Sequence, residues 1–206
     1  KVDFAGSDSA LKTAGGADGK VEATEAANAC TSPAWNLPMV AGPIAVAYNV
    51  KGIDKLILDA TTMAKIFDGK ITAWNDPAIA ALNPGVTLPA TAIKVYFRSD
   101  DSGTTENFTK YLKAAAGDAW GHDPAKKWPG SGEGKEKSAG VALAATQTDG
   151  AITYVEWSYA TSNNLKMAAV STGSGAPVEL TGESAGKAVA AATQVGSGND
   201  LALKLD

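Results

Sequence analysis

Residues 98–108 read RSDDSGTTENF, and they follow a short β-like run, IKVYF, at residues 93–97. A strand that ends in Ser, Asp, Gly and Thr and continues as a helix exposes the first backbone N–H groups of that helix, where the helix dipole favours negative charge. Gly103 lets an anion approach the backbone without a Cβ in the way. Hydroxyl donors come from Ser102, Thr104 and Thr105. The stretch therefore predicts an anion-binding loop at the end of a strand.

The same stretch also fits an ordinary helix N-cap, in which Ser102 or Asp101 accepts hydrogen bonds from otherwise unpaired amides. Arg98, directly before these residues, favours the anion-binding interpretation, because a cap requires no cation. Its planar guanidinium could bond an oxyanion through two N–H groups at once. Both interpretations begin a helix at the same residues.

The composition is that of a globular protein with no affinity for nucleic acid. The chain has 206 residues, of which 45% are hydrophobic and 19% charged, and its net charge is −4. That length allows one large domain or two small ones. Lys and Arg are nowhere dense enough to follow a phosphate backbone, and no apolar run approaches the ~18 residues that a membrane span needs. We therefore expect no nucleic-acid partner.

Common catalytic and cofactor sites are hard to build from these residues. His122 and Cys30 are the only His and Cys, so a Cys/His zinc site is excluded and Cys30 has no partner for an internal disulfide. A Ser-His-Asp triad would need His122, and the nucleophile-elbow pattern Gly-x-Ser-x-Gly does not occur. The glycines at residues 130–134 lack the spacing of a phosphate-binding P-loop. We expect no cofactor, no metal and no catalytic residue.

Apolar runs and turn residues predict alternating strands and helices. Residues 44–50, IAVAYNV, form a continuous apolar run, as expected for a strand buried on both faces. Asp76 before Pro77 predicts a capped helix start, and Trp74 is predicted to be a core residue. We predict further strands over residues 93–97, 151–155 and 167–171, helices over residues 60–67, 77–82, 138–148 and 184–193, and a polar loop over residues 116–138. The pattern indicates an α/β sheet with binding residues at its strand ends.

A second candidate edge of the site lies near the beginning of the chain. Residues 2–4 predict a strand, and the sequence GSDS follows at residues 6–9. Open α/β sheets bind ligands at the carboxyl ends of their strands, which makes Asp8 a candidate binding residue. Asp8 fits equally well as the cap of the next turn.

Five stretches occur in order along the chain: VDFAGSDSAL at residues 2–11, LPMVAGPIAVAYNV at 37–50, LDATTMAKIFDGKITAWNDPAIAALNPGVTLP at 58–89, RSDDSGTTENFTKYL at 98–112 and DGAITYVEWSYA at 149–160. In these motifs and their order, and over nearly its whole length, the chain resembles the phosphate-binding proteins of bacterial phosphate ABC transporters. It is most similar to the actinobacterial, Gram-positive branch of that family.

The resemblance implies an α/β fold of the type II periplasmic-binding-protein class, in which two lobes close on one dehydrated phosphate. It implies a protein that performs no chemistry, binds inorganic phosphate and delivers it to the membrane permease of an ABC transporter. Such a protein would lie outside the cytoplasmic membrane, in the periplasm or at the cell surface, with a lipid anchor in its full-length form.

Individual site roles also follow from the resemblance. Arg98 would make the charged bidentate contact with phosphate, and Asp100 would pair with Arg98 and hold its guanidinium in plane. Hydroxyls and helix-start amides would be donated by Ser102, Gly103 and Thr104. Asp8 would accept the proton carried by phosphate, because a carboxylate accepts from P–OH but repels fully ionised sulfate.

The chain departs from the family pattern in two places. Asp101 stands where the family commonly has Gly, and its charge would weaken anion binding unless it faces solvent or a cation. The phosphate-donating segments of the family's first domain, and the later strand that returns to it, are not found. We therefore expect an internal piece, with residues 1–38 as a remnant of the first lobe and residues 39–206 as the second lobe, which carries the anion-binding loop at residues 98–105.

Two alternatives from other functional classes remain. An enzyme acting on phosphate esters could use the same anion-binding loop, but it would need a nucleophile, a base or a metal cluster, and the sequence suggests none. A truncated scaffold or adhesion piece could keep the loop as a vestigial anion site.

Overall fold

The computed structural model describes residues 4–15 and 19–205, and the chain falls into two compact units. The central unit is Gly42–Ser184, and the terminal unit combines Lys1–Ala41 with Ala185–Asp206. The assignment of residues 1–38 and 39–206 to two lobes of a clamp stays a prediction.

The strands are β1 (Ile44–Asn49), β2 (Ile57–Asp59), β3 (Lys94–Arg98), β4 (Glu133–Lys135), β5 (Ala151–Glu156), β6 (Lys166–Met167), β7 (Ala169–Ser171), β8 (Thr193–Gln194) and β9 (Leu203–Lys204). A five-stranded sheet with the order β4-β3-β5-β1-β6 forms the middle of the central unit. In it, β3 runs parallel to β4 and β5, whereas β1 is antiparallel to β5 and β6. Strands β2 and β7 form a separate parallel pair, and β8 and β9 an antiparallel pair. The predicted α/β class is confirmed.

The helices are α1 (Glu22–Cys30), α2 (Ala60–Phe67), α3 (Pro77–Leu82), α4 (Gly103–Ala116), α5 (Lys137–Gln147), α6 (Trp157–Ser162) and α7 (Gly182–Ala190). The predicted cap of α3 is confirmed, because the carboxylate of Asp76 accepts from the amide of Ala78 at 2.8 Å. Asp59 caps α2 in the same way, accepting from Thr62 at 2.7 Å. Within the described part of the chain, none of the helices has the length and apolarity needed to cross a bilayer.

The central sheet is buried on both faces, as its apolar strands predict. Alternate residues of β1 enter two different clusters, Val46 with Phe67 and Trp74 on one face and Ala47 with Val141 on the other. Trp74 is fully buried, as predicted, and its indole N–H donates to the carbonyl of residue 150 at 3.0 Å. Packing of this core therefore fixes where the carboxyl ends of β3 and β5 lie.

Two predicted segments were wrong in detail. Residues 116–138, predicted as a polar loop, contain β4, which pairs in parallel with β3. The sequence of β4 is EGK, without a β-branched or aromatic residue, so it carries no strand pattern. The single strand predicted over residues 167–171 is divided at Ala168 into β6 and β7, which belong to different sheets. In both segments, backbone hydrogen bonds to strands distant in the sequence determine the structure.

The terminal unit joins residues from both ends of the chain. The amide and side-chain nitrogens of Asn36 both donate to Asp200 Oδ1 at 2.9 Å, and the carbonyl of Asn36 accepts from Leu201 at 2.9 Å. Helix α1 belongs to this unit, and Cys30 at its end is an exposed free thiol. Most of the strand predicted at residues 2–4 lies outside the described residues.

Candidate anion-binding site

The carboxyl ends of three parallel strands meet at one edge of the central sheet. Arg98 ends β3 and is in register with Lys135, which ends β4. Glu156 ends β5, the neighbour of β3 on the other side. Helix α4 begins at Gly103, so its first turn follows directly from this edge. Because ligands of α/β sheets bind at the carboxyl ends of the strands, this edge is the candidate site.

The guanidinium of Arg98 is fixed by two partners. Its Nε and Nη2 donate to the two carboxylate oxygens of Asp100 at 2.7 and 2.6 Å, a bidentate pair. Its Nη1 donates to Ser138 Oγ at 3.0 Å. The Arg98 side chain is only 11% exposed. The expected pairing of Arg98 with Asp100 is therefore present, and Ser138 adds a contact that the sequence did not suggest.

The fixed guanidinium keeps donors for another acceptor. A guanidinium has five N–H groups, and three of them are used by Asp100 and Ser138, which leaves two among the described residues. The hydrogen bonds from Arg98 lower the pKa of Asp100 to about 2, so this carboxyl stays ionised at neutral pH. The pKa of Arg98 is raised, first of all by its hydrogen bond to Asp100. Arg98 therefore presents a permanent, oriented cation.

A strained residue holds Asp100 from the other side. The amide of Lys137 donates to Asp100 Oδ1 at 3.1 Å, at the first residue of α5. Lys137 has a φ of 57°, in the left-handed region that favours glycine. This backbone conformation directs the amide of Lys137 to the carboxylate that orients Arg98.

The strain at Lys137 predicts an unusual effect of glycine. We expect the free energy of unfolding of Lys137→Gly to be about 1 kcal/mol higher than that of Lys137→Ala. Both substitutions remove the charge, but only glycine relieves the left-handed strain. Urea unfolding followed by circular dichroism measures the difference. The control is Ala139→Gly in the same helix, where glycine should be destabilising by about 1 kcal/mol. A Lys137→Ala variant as stable as Lys137→Gly would contradict the assignment of strain.

The start of α4 combines a helix cap with open donors. Ser102 is the N-cap: its Oγ accepts from the amide of Thr105 at 3.3 Å, and its carbonyl accepts from Glu106 at 3.0 Å. The Ser102 hydroxyl still has its own proton to donate. First-turn amides, here those of Gly103 and Thr104, have no acceptor within the helix. The cap and the anion-binding loop are thus compatible uses of the same residues.

Three of the donors considered from the sequence have partners inside the protein. The amide of Ser102 donates to the carbonyl of Lys126 at 3.1 Å. The hydroxyl of Thr104 donates to Glu156 Oε1 at 2.5 Å. The hydroxyl of Thr105, which is fully buried, shares a hydrogen bond of 2.7 Å with Tyr154 Oη. The Ser102 hydroxyl and the amide of Gly103 therefore remain as the candidate donors beside Arg98.

Tyr154 supports the backbone on which Arg98 sits. Its hydroxyl accepts from the amide of Arg98 at 3.2 Å, and its ring stacks on Phe108 and Trp128 with centroids 4.7 and 5.2 Å apart. Burial raises the pKa of Tyr154, so the phenol stays protonated. The aromatic stack and the hydroxyl together connect β3 to α4.

Three contributors were missing from the sequence-based site: Ser138, Tyr154 and Glu156. Tyr154 lies in the strand predicted over residues 151–155 and Glu156 directly follows it, so polar side chains at a strand's carboxyl end were the available signal. Ser138 offered only the signal of a predicted helix start. Nothing local pointed to Arg98 as its partner.

The two acidic residues with open roles are both exposed. Asp8 belongs to the terminal unit, and its role as acceptor of a phosphate proton stays a prediction. Asp101 is also exposed, which is the arrangement in which its charge weakens anion binding least. Among the described residues, no group of three or more His, Cys, Asp or Glu side chains is placed to hold a metal ion.

Relatives of known name share much of this sequence. The chain is 50% identical over 208 residues to the phosphate-binding protein PstS 3 of Mycobacterium tuberculosis, covering 100% of this chain and 54% of the relative. It is 49% identical over 205 residues to PstS 2 of the same species, covering 98% of this chain and 54% of the relative. The chain thus spans about half the length of the curated relatives it matches.

Solved structures share the fold. A periplasmic phosphate-binding protein (PfluDING) bound with phosphate is similar with a TM-score of 0.61 and 26% identity, over 80% of this chain and 45% of that one. A substrate-binding protein from Clostridium perfringens, described as a putative phosphate ABC transporter component with bound phosphate, has a TM-score of 0.53 at 20% identity, over 72% and 51% of the two chains. The family described as the PBP superfamily domain matches residues 1–204. The chain therefore belongs to the PBP superfamily domain family.

Proposed function

We propose that the protein binds inorganic phosphate outside the cytoplasmic membrane and delivers it to the permease of a phosphate ABC transporter, without performing chemistry. The observation that carries the proposal is the guanidinium of Arg98, fixed by Asp100 and Ser138 with two N–H groups remaining. It stands where the first turn of α4 begins. The names of the mycobacterial relatives, and the phosphate in the similar PfluDING structure, support phosphate as the anion.

The chemistry of the edge suits a dehydrated tetrahedral oxyanion. A planar guanidinium fork bonds two oxygens of such an anion, and first-turn amides with a serine hydroxyl bond others. Each of these donors is held before binding, so little side-chain ordering has to be overcome. Asp8, as the proposed proton acceptor, would come from the other lobe of a type II clamp. The boundary between lobes at residues 38 and 39, and a lipid anchor on the full-length protein, are further parts of this proposal.

Isothermal titration calorimetry with phosphate, sulfate and a phosphate ester tests the proposal. Selective binding of phosphate without hydrolysis of the ester is the expected result. Turnover of the ester would instead support the enzyme alternative, and the absence of heat with all three ligands would support a vestigial site.

Asp8→Asn is expected to reduce the preference for phosphate over sulfate by about tenfold or more, because an amide no longer repels a fully ionised anion. The ratio of the two dissociation constants, measured by calorimetry at fixed ionic strength, gives the change. Asp101→Asn is the matched control, since it removes one exposed negative charge without removing the proposed acceptor. Equal shifts in the ratio for both variants would assign the effect to net charge and contradict the role of Asp8.

A further inference from the structure

The hydroxyl of Ser138 has a proton that its contact with Arg98 does not use. Ser138 is only 8% exposed, and its Oγ accepts from Nη1 of Arg98 at 3.0 Å. A hydroxyl has one proton and two lone pairs, so a serine that accepts from a guanidinium still has its proton to donate. In the described part of the chain this proton has no acceptor. Because a buried donor without an acceptor is destabilising, the arrangement requires a further acceptor beside Arg98.

The position of Ser138 in α5 explains why the helix itself does not take this proton. The hydroxyls of Thr109, Thr146 and Thr161 each donate at 2.9 Å to the carbonyl four residues earlier in their own helices. Ser138 is the second residue of α5, so no helical turn precedes it. Its hydroxyl proton is therefore available to a group outside α5.

Ser138 lies beside the place proposed for the anion. Each terminal nitrogen of Arg98 has one N–H remaining, because Nη1 donates once to Ser138 and Nη2 once to Asp100. An oxyanion that accepts from Nη1 is thus bonded to the same nitrogen as the serine. The amide of Lys137, directly before Ser138, donates to Asp100 and fixes the backbone at the start of α5 to the same ion pair. Accepting from a cation also polarises the O–H bond, which makes the hydroxyl a stronger donor.

We propose that Ser138 is a further anion-binding residue, whose hydroxyl donates to an oxygen of the tetrahedral anion held by Arg98. The inference rests on the proposed function, because it adds a ligand contact to the same site. The oxygen that accepts from Ser138 must be ionised or carry a free lone pair, as the oxygens of phosphate do. Helix α5 then contacts the ligand directly, in addition to β3 and α4.

The first test is the effect of Ser138→Ala on phosphate affinity, measured by calorimetry. The affinity should fall by about tenfold or more, because hydrogen bonds to charged groups are stronger than those between neutral groups. Thr153→Val is the matched control: Thr153 is fully buried, and its hydroxyl donates to the carbonyl of Tyr96 in β3 at 2.8 Å. It removes a hydroxyl that supports the strand of Arg98 without contacting the anion, so the affinity should stay within about twofold of the unmodified value.

The second test separates direct contact from an effect that passes through Arg98. In a crystal structure of the unmodified protein saturated with phosphate, Ser138 Oγ should lie within about 3.0 Å of a phosphate oxygen. A separation above about 4 Å would overturn the proposal whatever the affinities, because Ser138 would then only hold the guanidinium. This measurement does not depend on the folding of any variant.

The remaining outcomes are also decisive. A folded Ser138→Ala protein with an affinity within about twofold of the unmodified value, or equal losses in Ser138→Ala and Thr153→Val, would overturn the role of Ser138 while phosphate binding stands. Absence of phosphate binding by the unmodified protein would overturn the proposed function, and this inference with it.

Discussion

Arg98→Ala is expected to lower the affinity for phosphate by at least about 100-fold. The substitution removes the cation from the ion pair between Arg98 and the bound anion, and losing one partner of a poorly solvated ion pair costs several kcal/mol. The substitution removes the oriented cation and its two remaining N–H groups. It also leaves Asp100 ionised without the guanidinium, so that a negative charge lies beside the place where an anion would bind. Loss of attraction and gain of repulsion act in the same direction.

Two comparison variants separate these effects. Arg98→Lys keeps a positive charge but cannot bond both oxygens of Asp100 and an anion in one plane, so its loss should be smaller but clear. Adding Asp100→Asn to Arg98→Ala should recover part of the affinity, because it removes the uncompensated charge. Calorimetry gives the affinities, and circular dichroism shows that each variant is folded. A folded Arg98→Ala protein with the phosphate affinity of the parent would place the site elsewhere.

The parts of this site that the sequence predicted are local. The strand, the polar loop and the helix start around Arg98 depend on residues within a few positions of each other, and Ser102 caps α4 from directly before it. The same holds for Asp76 and α3. The pairing of Arg98 with Asp100, two residues away, was implied by the family resemblance and is present in the structure. The α/β class followed from such local signals taken in order.

The parts that the sequence did not predict depend on distant partners. Tyr154 lies 56 residues from Arg98, Ser138 lies 40 residues from it, and Glu156 lies 52 residues from Thr104. Residue types alone suggested that every hydroxyl of the loop donates to the ligand. Only the packing of β5 and α5 against β3 decides which hydroxyls are used inside the protein. The sequence thus predicted candidate residues in the loop itself, but neither the partners from β5 and α5 nor the directions of the hydrogen bonds.

The largest expected effect on folding comes from Gly150, where α5, β3 and the core meet. Its amide donates to the carbonyl of Asn49 at 2.8 Å, and its carbonyl accepts from Lys94 at 2.9 Å and from the indole of Trp74 at 3.0 Å. Its φ is +85°, and a Cβ added there would lie 2.5 Å from the carbonyl oxygen of Ala92. Neither the backbone conformation nor the space accepts a side chain.

Gly150→Ala should therefore lower the free energy of unfolding by about 3 kcal/mol or more, through left-handed strain and displacement of the backbone at residue 92. Gly85→Ala is the matched control, because Gly85 has a φ of +81° but nothing within 4 Å of an added Cβ. The free energy of unfolding of the control should fall by only about 1 kcal/mol, which is the cost of left-handed backbone strain alone. Urea unfolding of both variants isolates the steric part as their difference. Equal losses of free energy in the two variants would mean that the backbone around Gly150 moves to accept an added methyl group. In that case β3, and Arg98 at its end, would be held less rigidly than the hydrogen bonds of Gly150 indicate.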